Sequence, residues 1–322
     1  MPRILCGLLC CSPSICDPKE IGPVPDICII FNPTAQGDRA RAFRKRLNSI
    51  EREAVLRPTR GPGDAQGLAA RAFEEGFRTV VAAGGDGTVN EVVNGLTRSQ
   101  GGLDRVKFGV LPLGTVNVFA KELGIPGEFD RAWGIIQEGR TLLIDLPYAD
   151  FMTATGPARR YWVQLAGAGL DSRALSLVRW ELKKKIGALA YVWAGFEAMR
   201  PPRPRVTFEA EGISIVAEAV LIGNGRYFGG RWPVLHGADM TDGLMDVAVI
   251  PKISWPRLFR ALWLLWRDRF SENPGTTHLQ VRSFRLTTAD GVPLQLEGDN
   301  VGPLPATFGL LPRALRVVVP SG

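Results

Sequence analysis

Three glycines fall within four residues in Gly84-Gly85-Asp86-Gly87, and Thr88-Val89-Asn90-Glu91 follows directly. Backbone without Cβ atoms can approach a phosphate closely. The segment stands where an apolar run, residues 79–83, hands over to a helical pattern. The first N–H groups of that helix would therefore face the same point. Asp86 would repel a phosphate unless a divalent cation lay between them, which points to magnesium. A tight turn with Asp86 as helix cap uses the same residues, and this motif alone leaves both readings open.

A second loop, Pro112-Leu113-Gly114-Thr115-Val116-Asn117, also follows a strand pattern and precedes a helix. A third, Asn32-Pro33-Thr34-Ala35-Gln36-Gly37, follows the apolar run 27–31. Loops at the carboxyl ends of neighbouring parallel strands line one crevice, where open α/β sheets bind ligands. Three polar, glycine-bearing loops on one edge are hard to explain as turns alone.

The elements that must position these loops are legible as an alternation. Strand patterns at 27–31, 54–56, 79–83 and 108–111 are interleaved with helical patterns at 38–50, 63–76, 88–97 and 130–137. That order calls for a parallel sheet covered by helices. After Asp145 the texture changes. Strand-like runs at 160–166, 204–210, 213–223, 245–250, 279–288 and 292–297 have only two clear helices among them, 179–199 and 255–269. The second half therefore reads as β-rich. The apolar end, residues 314–319, could return to the first sheet or close the second.

A length of 322 residues suits about two domains. Hydrophobic residues at 45% and charged residues at 22% set aside disorder, collagen and coiled coil for the bulk of the chain. No apolar stretch is long enough for a spanning helix. All five cysteines lie in the first 28 residues, whereas a disulfide framework would spread through the fold, so a reducing compartment is expected. Residues 1–25 are expected to form a disordered leader. The net charge of +7 favours anionic partners. It is modest for a nucleic-acid binder, and no nucleic-acid module is recognisable, so no nucleic-acid partner is expected. No GxxxxGK[ST] segment is present, and the only histidines, His236 and His278, stand outside any motif. P-loop and phosphohistidine chemistry thus have no support.

Together these motifs resemble the diacylglycerol kinase catalytic-domain superfamily, especially its bacterial soluble lipid kinases, relatives of sphingosine and ceramide kinases. Asn32-Pro33 with Gly37 is similar to an NPxSG-type loop, Gly84 to Asn90 to GGDGTxN, and Pro112 to Ala120 to PLGTxNxFA. Gly223-Asn224 followed by Gly229-Gly230 resembles a GN…GGG segment. The resemblance runs from about Ile27 to Pro320. GGDGT is shared with NAD kinases, and PLGTxN after it is more specific. Val118 stands where the superfamily usually has Asp, which suggests a subgroup with a different lipid.

The resemblance implies an N-terminal NAD-kinase-like α/β domain and a C-terminal β-sandwich domain. Residues 26–147, completed by about 306–322, would form the first, and 148–305 the second. It implies ATP and Mg²⁺ as cofactors. Asn32, Thr34, Thr59, Gly84, Gly85, Asp86, Gly87, Thr88, Asn90, Glu91, Gly114, Thr115 and Asn117 would contact the nucleotide. Asp239, Asp242 and the Leu244 carbonyl would hold a structural magnesium ion, although Asp242-Gly243 is also a strong turn signal. The proposed catalytic base of the family is the Glu of an Asp-Gly-Glu tripeptide. Here the aligned residues are Glu297-Gly298-Asp299, with the acids exchanged. Asp299 takes the base position, and Glu297, two residues away on the same expected strand, is the second candidate. Asp86 completes the catalytic set.

The implied activity is ATP-dependent phosphorylation of a hydroxyl on a diacylglycerol-like or sphingoid lipid. A soluble NAD-kinase-like enzyme and a non-catalytic nucleotide- or lipid-binding protein are the alternatives. Residues 252–269 combine four Trp or Phe with five basic residues and one acid, which suits a membrane interface. Packing on its own domain would use the same stripe. The expected partner is a lipid substrate at a membrane surface, the expected location cytoplasmic and peripheral at the inner membrane face, with a homodimer as an open alternative to a monomer.

Overall fold

The computed structural model describes residues 26–35, 37–99, 101–178, 189–230 and 232–321. The expected leader, 1–25, lies outside the described residues, as does the first part of the expected helix 179–199.

The first half is built as its hydrophobic pattern requires. Strands β1 (Ile27–Phe31), β2 (Val55–Pro58), β3 (Thr79–Gly84) and β4 (Lys107–Pro112) pair in parallel in the order β2-β1-β3-β4. β3 is buried along its whole length, so it reads as an unbroken apolar run rather than an alternation. Helices α1 (Asp38–Ile50), α2 (Asp64–Glu74), α3 (Asp86–Leu96) and α6 (Phe129–Glu138) cover the sheet, α2 packing on α3 and α1 on α6. Two short helices, α4 (Gly102–Arg105) and α5 (Val118–Glu122), complete this half.

Strand ends coincide. Phe31 pairs with Pro58 and with Ala83, and Gly84 pairs with Pro112. The loops after β1, β2, β3 and β4 therefore leave one edge side by side. Backbone bonds extend the ladder past the strands: Thr59 N–H donates to the Phe31 carbonyl at 2.9 Å and Leu113 N–H to the Gly84 carbonyl at 2.9 Å.

The expected boundary near residue 147 falls inside a continuous strand. β5 (Thr141–Thr153) runs antiparallel to the final strand, β18 (Ala306–Val318), from Thr141 opposite Val318 to Phe151 opposite Ala306. The C-terminal half of β18 also meets β4, through Val317 and Phe108. Its N-terminal half pairs with β15 (Phe284–Thr287), which continues through β8 (Val206–Ala210) to β9 (Ile213–Ala217). The chain's end thus both returns to the first sheet and closes the second unit. A β-bulge between Leu311 and Leu315 bends the strand where the two roles meet.

A second sheet has the order β14-β13-β10-β7-β16-β17. Its strands are β7 (Leu165–Gly169), β10 (Ala219–Gly223), β13 (Met245–Ile250), β14 (Thr277–Val281), β16 (Pro293–Leu296) and β17 (Asp299–Pro303). It packs on the extended first sheet through Trp162, Phe208, Ile222, Val247, Phe284 and Phe308. The Phe284 and Phe308 rings stack with centroids 4.5 Å apart. The hairpin strand β6 (Gly156–Tyr161) pairs with β5, and β11 (Tyr227–Phe228) with β12 (Trp232–Pro233). Helices α7 (Leu170–Leu177), α8 (Leu189–Ala198) and α9 (Trp255–Trp266) belong to this half. The fold is an α/β domain with a parallel sheet followed by a β-sandwich-like domain, as expected. The two share strands rather than a linker.

Candidate active site

The β3–α3 and β4–α5 loops touch backbone to backbone. A Cβ placed on Gly114 would lie 2.6 Å from the Gly85 Cα and 2.7 Å from Asn117 Oδ1. Glycine is required there by a neighbouring main chain. Gly87 is different: a Cβ would meet nothing within 4 Å, and the residue is exposed. Nothing in the fold explains its lack of a side chain, whereas a ligand lying on the loop would.

Several candidate contacts also organise the loops. Asp86 Oδ1 accepts the Phe119 N–H at 3.2 Å, at the start of α5, so it joins the two loops. Burial pushes its carboxyl above the ordinary range, opposed by the N–H groups at 117–119. Asn117 is buried and left-handed at φ 53°; Gly114 N–H donates to its Oδ1 at 3.0 Å, and its Nδ2 donates to the Gly114 carbonyl at 2.7 Å. Glu91 accepts from Gly63 N–H at 2.7 Å and Ala65 N–H at 3.1 Å, capping α2. Asn90 Oδ1 accepts from Asn94 at 3.0 Å. Thr88 packs against Gly84, where a Cβ would be 2.4 Å from its hydroxyl oxygen. Asn32 Oδ1 accepts from the Thr34 N–H at 2.9 Å and its hydroxyl at 2.8 Å. Thr34 and Thr115 are exposed, and Thr59 is half-buried on the same edge.

The two candidate bases are separated by the local geometry. Glu297 and Asp299 were expected on one strand, facing one way. Instead Glu297 (φ 55°) and Gly298 (φ 84°) are the two central residues of the tight turn between β16 and β17, with Leu296 paired to Asp299 across it. Two left-handed residues are what a two-residue hairpin demands. Asp299 is exposed at the start of β17. The Glu297 side chain turns inward, where its Oε1 accepts the N–H groups of Val163 and Gln164, each at 2.7 Å. Burial pushes its carboxyl up to about 7, those N–H groups oppose the rise, and the charge of Asp86 adds to it. The charge of Asp86 thus reaches Glu297 across the boundary between the two halves.

The Asp239–Leu244 loop is pinned from below. Asp145, fully buried, accepts from Gly243 N–H and Arg313 N–H, both at 2.7 Å. Asp239 Oδ1 accepts from Thr241 N–H at 2.9 Å, and Asp242 Oδ1 from Leu244 N–H at 2.9 Å. The Asp242 carboxyl is raised by burial, then by the charges of Asp239 and Asp145. Asp246, beside them, is pushed up to about 6, chiefly by burial. Among the described residues no cluster of three or more His, Cys, Asp or Glu is arranged to hold a metal. Two exposed carboxylates on one loop are oxygen donors of the kind that suit magnesium, which keeps most of its waters.

Residues 26–148 match the model of the diacylglycerol kinase catalytic domain, and residues 164–319 that of the YegS C-terminal NAD kinase beta sandwich-like domain. A diacylglycerol kinase of Staphylococcus aureus (strain bovine RF122 / ET3-1) is 30% identical over 301 residues, spanning 91% of this chain and 92% of that protein. The chain belongs to the diacylglycerol kinase family. A crystal structure of a diacylglycerol kinase from Bacillus anthracis str. Sterne superposes with TM-score 0.72 at 22% identity, over 91% of this chain and 96% of the other. Yeast NADH kinase complexed with NADH superposes with TM-score 0.52 at 11% identity, over 94% and 85%, a likeness of fold alone.

In this family member, some residues at the site carried no motif in the sequence. Gln164 Nε2 donates to Glu122 Oε2 at 3.0 Å, and Arg226 Nε to Glu122 Oε1 at 2.8 Å, which ties α5 to the second half. Asn224, of the Gly223-Asn224 motif, is buried and donates to the Asp145 carbonyl at 3.1 Å and the Val163 carbonyl at 3.0 Å. An apolar cavity of about 380 Å³ lies between α7, α8, α9 and the sheet strands β10 and β13. Leu170, Phe196, Leu221, Leu258 and Leu265 line it, and Asp171 stands at its wall. Gln295 Nε2 donates to Asp171 Oδ2 at 2.9 Å, and Gln295 Oε1 accepts the Gly298 N–H at 2.9 Å. Two hydrogen bonds therefore link the cavity wall to the turn that carries Glu297. Asp171 is far from any motif, and only the tertiary pairing of β7 with β16 brings it there.

Proposed function

We propose that this protein is an ATP-dependent lipid kinase that phosphorylates a hydroxyl of a diacylglycerol-like or sphingoid lipid. The observation that carries this is the Glu297 carboxyl, held at Oε1 by the Val163 and Gln164 N–H groups where the two halves meet and raised to about 7, chiefly by burial. A general base works best when its pKa lies near the working pH. A base at this place serves to deprotonate an acceptor hydroxyl, and the apolar cavity, joined to the Glu297 turn through Asp171 and Gln295, supplies walls for a greasy one.

The glycine loops bind the triphosphate through backbone N–H groups. Glu297, fixed at Oε1 by two N–H donors, takes the proton of the acceptor hydroxyl. The bond from that oxygen to the γ-phosphorus forms as the bond from phosphorus to the departing ADP breaks. Positioning and charge stabilisation supply most of the rate. Asp86 would hold a magnesium ion that offsets phosphate charge, and Asp239, Asp242 and the Leu244 carbonyl would be the donors for a structural one. Asp299, exposed at the start of β17, is assigned no catalytic part.

Purified protein with Mg²⁺ and labelled ATP tests this against diacylglycerol, ceramide, sphingosine and phosphatidylglycerol in mixed micelles, with NAD in a parallel soluble arm. Label in a lipid extract supports the reading. Label in NAD alone assigns a soluble kinase, and label in neither, with ATP bound, assigns a binding protein.

A further inference from the structure

Helix α9 is apolar on two faces. Leu258, Ala261, Leu264 and Leu265 point inward, over the cavity or into the domain. Trp255, Phe259, Trp263 and Trp266 point outward and are 42–68% exposed, and Leu262, 43% exposed, lies where that stripe meets the cavity wall. At 3.6 residues per turn those five positions fall within about 100° of arc. Trp193 of α8 is exposed as well, and Phe196 stacks on Trp255 with centroids 5.6 Å apart, so the two helices present one aromatic surface. Arg260 and Arg267 follow the stripe along one flank, and the Arg267 guanidinium lies 5.1 Å and 5.8 Å from the Trp263 and Trp266 rings. Residues 252–267 contain six tryptophan, phenylalanine or arginine positions on that side and no acid at all.

We infer that the outer face of α9 docks on an anionic lipid surface. Trp sits at the headgroup level of a bilayer, and flanking arginines pair with acidic lipid. A second copy of the chain is the poorer occupant. In a twofold interface the same patch meets itself, which sets arginine against arginine with no acid on the helix to offset them. Docking in this pose places the cavity directly behind the membrane-facing helix. The inference rests on the lipid-kinase reading only for its purpose, since the surface exists without it.

Co-sedimentation of the full chain with phosphatidylcholine vesicles, with and without phosphatidylglycerol, tests it in the absence of ATP and diacylglycerol. Wild type should bind the anionic vesicles, bind less as salt rises, and show tryptophan quenching by brominated lipid. Arg260→Glu/Arg267→Glu should weaken binding by roughly 30-fold or more, at about tenfold or less per charge removed. Phe259→Ser/Trp263→Ser/Trp266→Ser should abolish both binding and quenching. The melting temperature of each variant and its turnover of a dispersed short-chain diacylglycerol should match wild type. Unchanged vesicle binding in both variants overturns the inference. So does a wild-type dimer that the aromatic variant dissolves without loss of vesicle binding. Intact vesicle binding with no phosphorylation of any lipid fails the kinase reading alone.

Discussion

Gln164 and Glu297 lie 133 positions apart in sequence, yet the Gln164 N–H meets Glu297 Oε1 at 2.7 Å, and Val163 N–H shares the same oxygen. The bend that leads into β7 thus holds the Glu297 carboxylate from below. Glu297→Gln keeps the shape and an oxygen acceptor but removes the base. Lipid phosphorylation should fall by about 10²–10⁴ while ATP affinity holds. Asp299→Asn should retain most activity. A rate assay with both variants decides between the two acids, and the opposite ranking returns the role to Asp299.

Proton linkage gives a second outcome. The Glu297 carboxyl moves from 4.5 to about 7 on folding, chiefly through burial. Its native state therefore keeps a proton that the unfolded chain has already released across that window. Stability from this group is greatest below about 4.5 and declines as pH rises toward about 7. Catalysis runs the other way, because the base must be ionised. The kcat/KM profile should drop below pH of about 7. Urea melts at several pH values should show wild type losing more stability between acid and neutral pH than Glu297→Gln. Asp171, raised to about 6 by burial, gives a parallel decline that both proteins share.

The glycine loops and their common edge were legible because local chemistry forces them. An apolar run closed by a glycine turn and followed by a helical pattern leaves few alternatives, and parallel strands bring such turns together. The Glu297 turn was not legible in the same way. Glu297-Gly298-Asp299 reads equally as strand, and only the pairing of Leu296 with Asp299 makes it a two-residue hairpin. The strand that runs through residue 147 was hidden for a related reason. β5 pairs with a strand that begins 153 residues after its own last residue, Thr153, and no local pattern marks a partner so distant. The cavity acid Asp171 belongs to the same class, since its meaning comes from Gln295.

The two loop glycines separate packing from ligand contact. Gly114→Ala drives a Cβ to 2.6 Å from the Gly85 backbone, so the loops must part. The variant should melt lower by about 1–3 kcal/mol and lose ATP affinity. Gly87→Ala meets no protein atom within 4 Å, so its melting temperature should match wild type. If phosphate lies on the loop, ATP affinity falls in Gly87→Ala all the same. Equal ATP affinity in Gly87→Ala and wild type, by calorimetry, would remove phosphate from this loop.

Magnesium at the Asp239–Leu244 loop is tested by stability rather than turnover. Asp242 is raised by burial and by the charges of Asp239 and Asp145, a strain that a divalent ion relieves. Without metal, Asp242→Asn removes one of the crowded charges and should melt no lower than wild type. With magnesium at ten times its dissociation constant, a binder of the folded state gains about 1.4 kcal/mol. For a chain of this size that is a rise of about 2–4 °C. Wild type should show the rise, and Asp239→Asn and Asp242→Asn should lose it. Because Asp145 spends its oxygens on Gly243 and Arg313 N–H groups, Asp145→Asn should instead melt lower with or without the ion. A magnesium-induced rise that survives in Asp239→Asn and Asp242→Asn places the ion elsewhere, with Asp86 as the next carboxylate to replace.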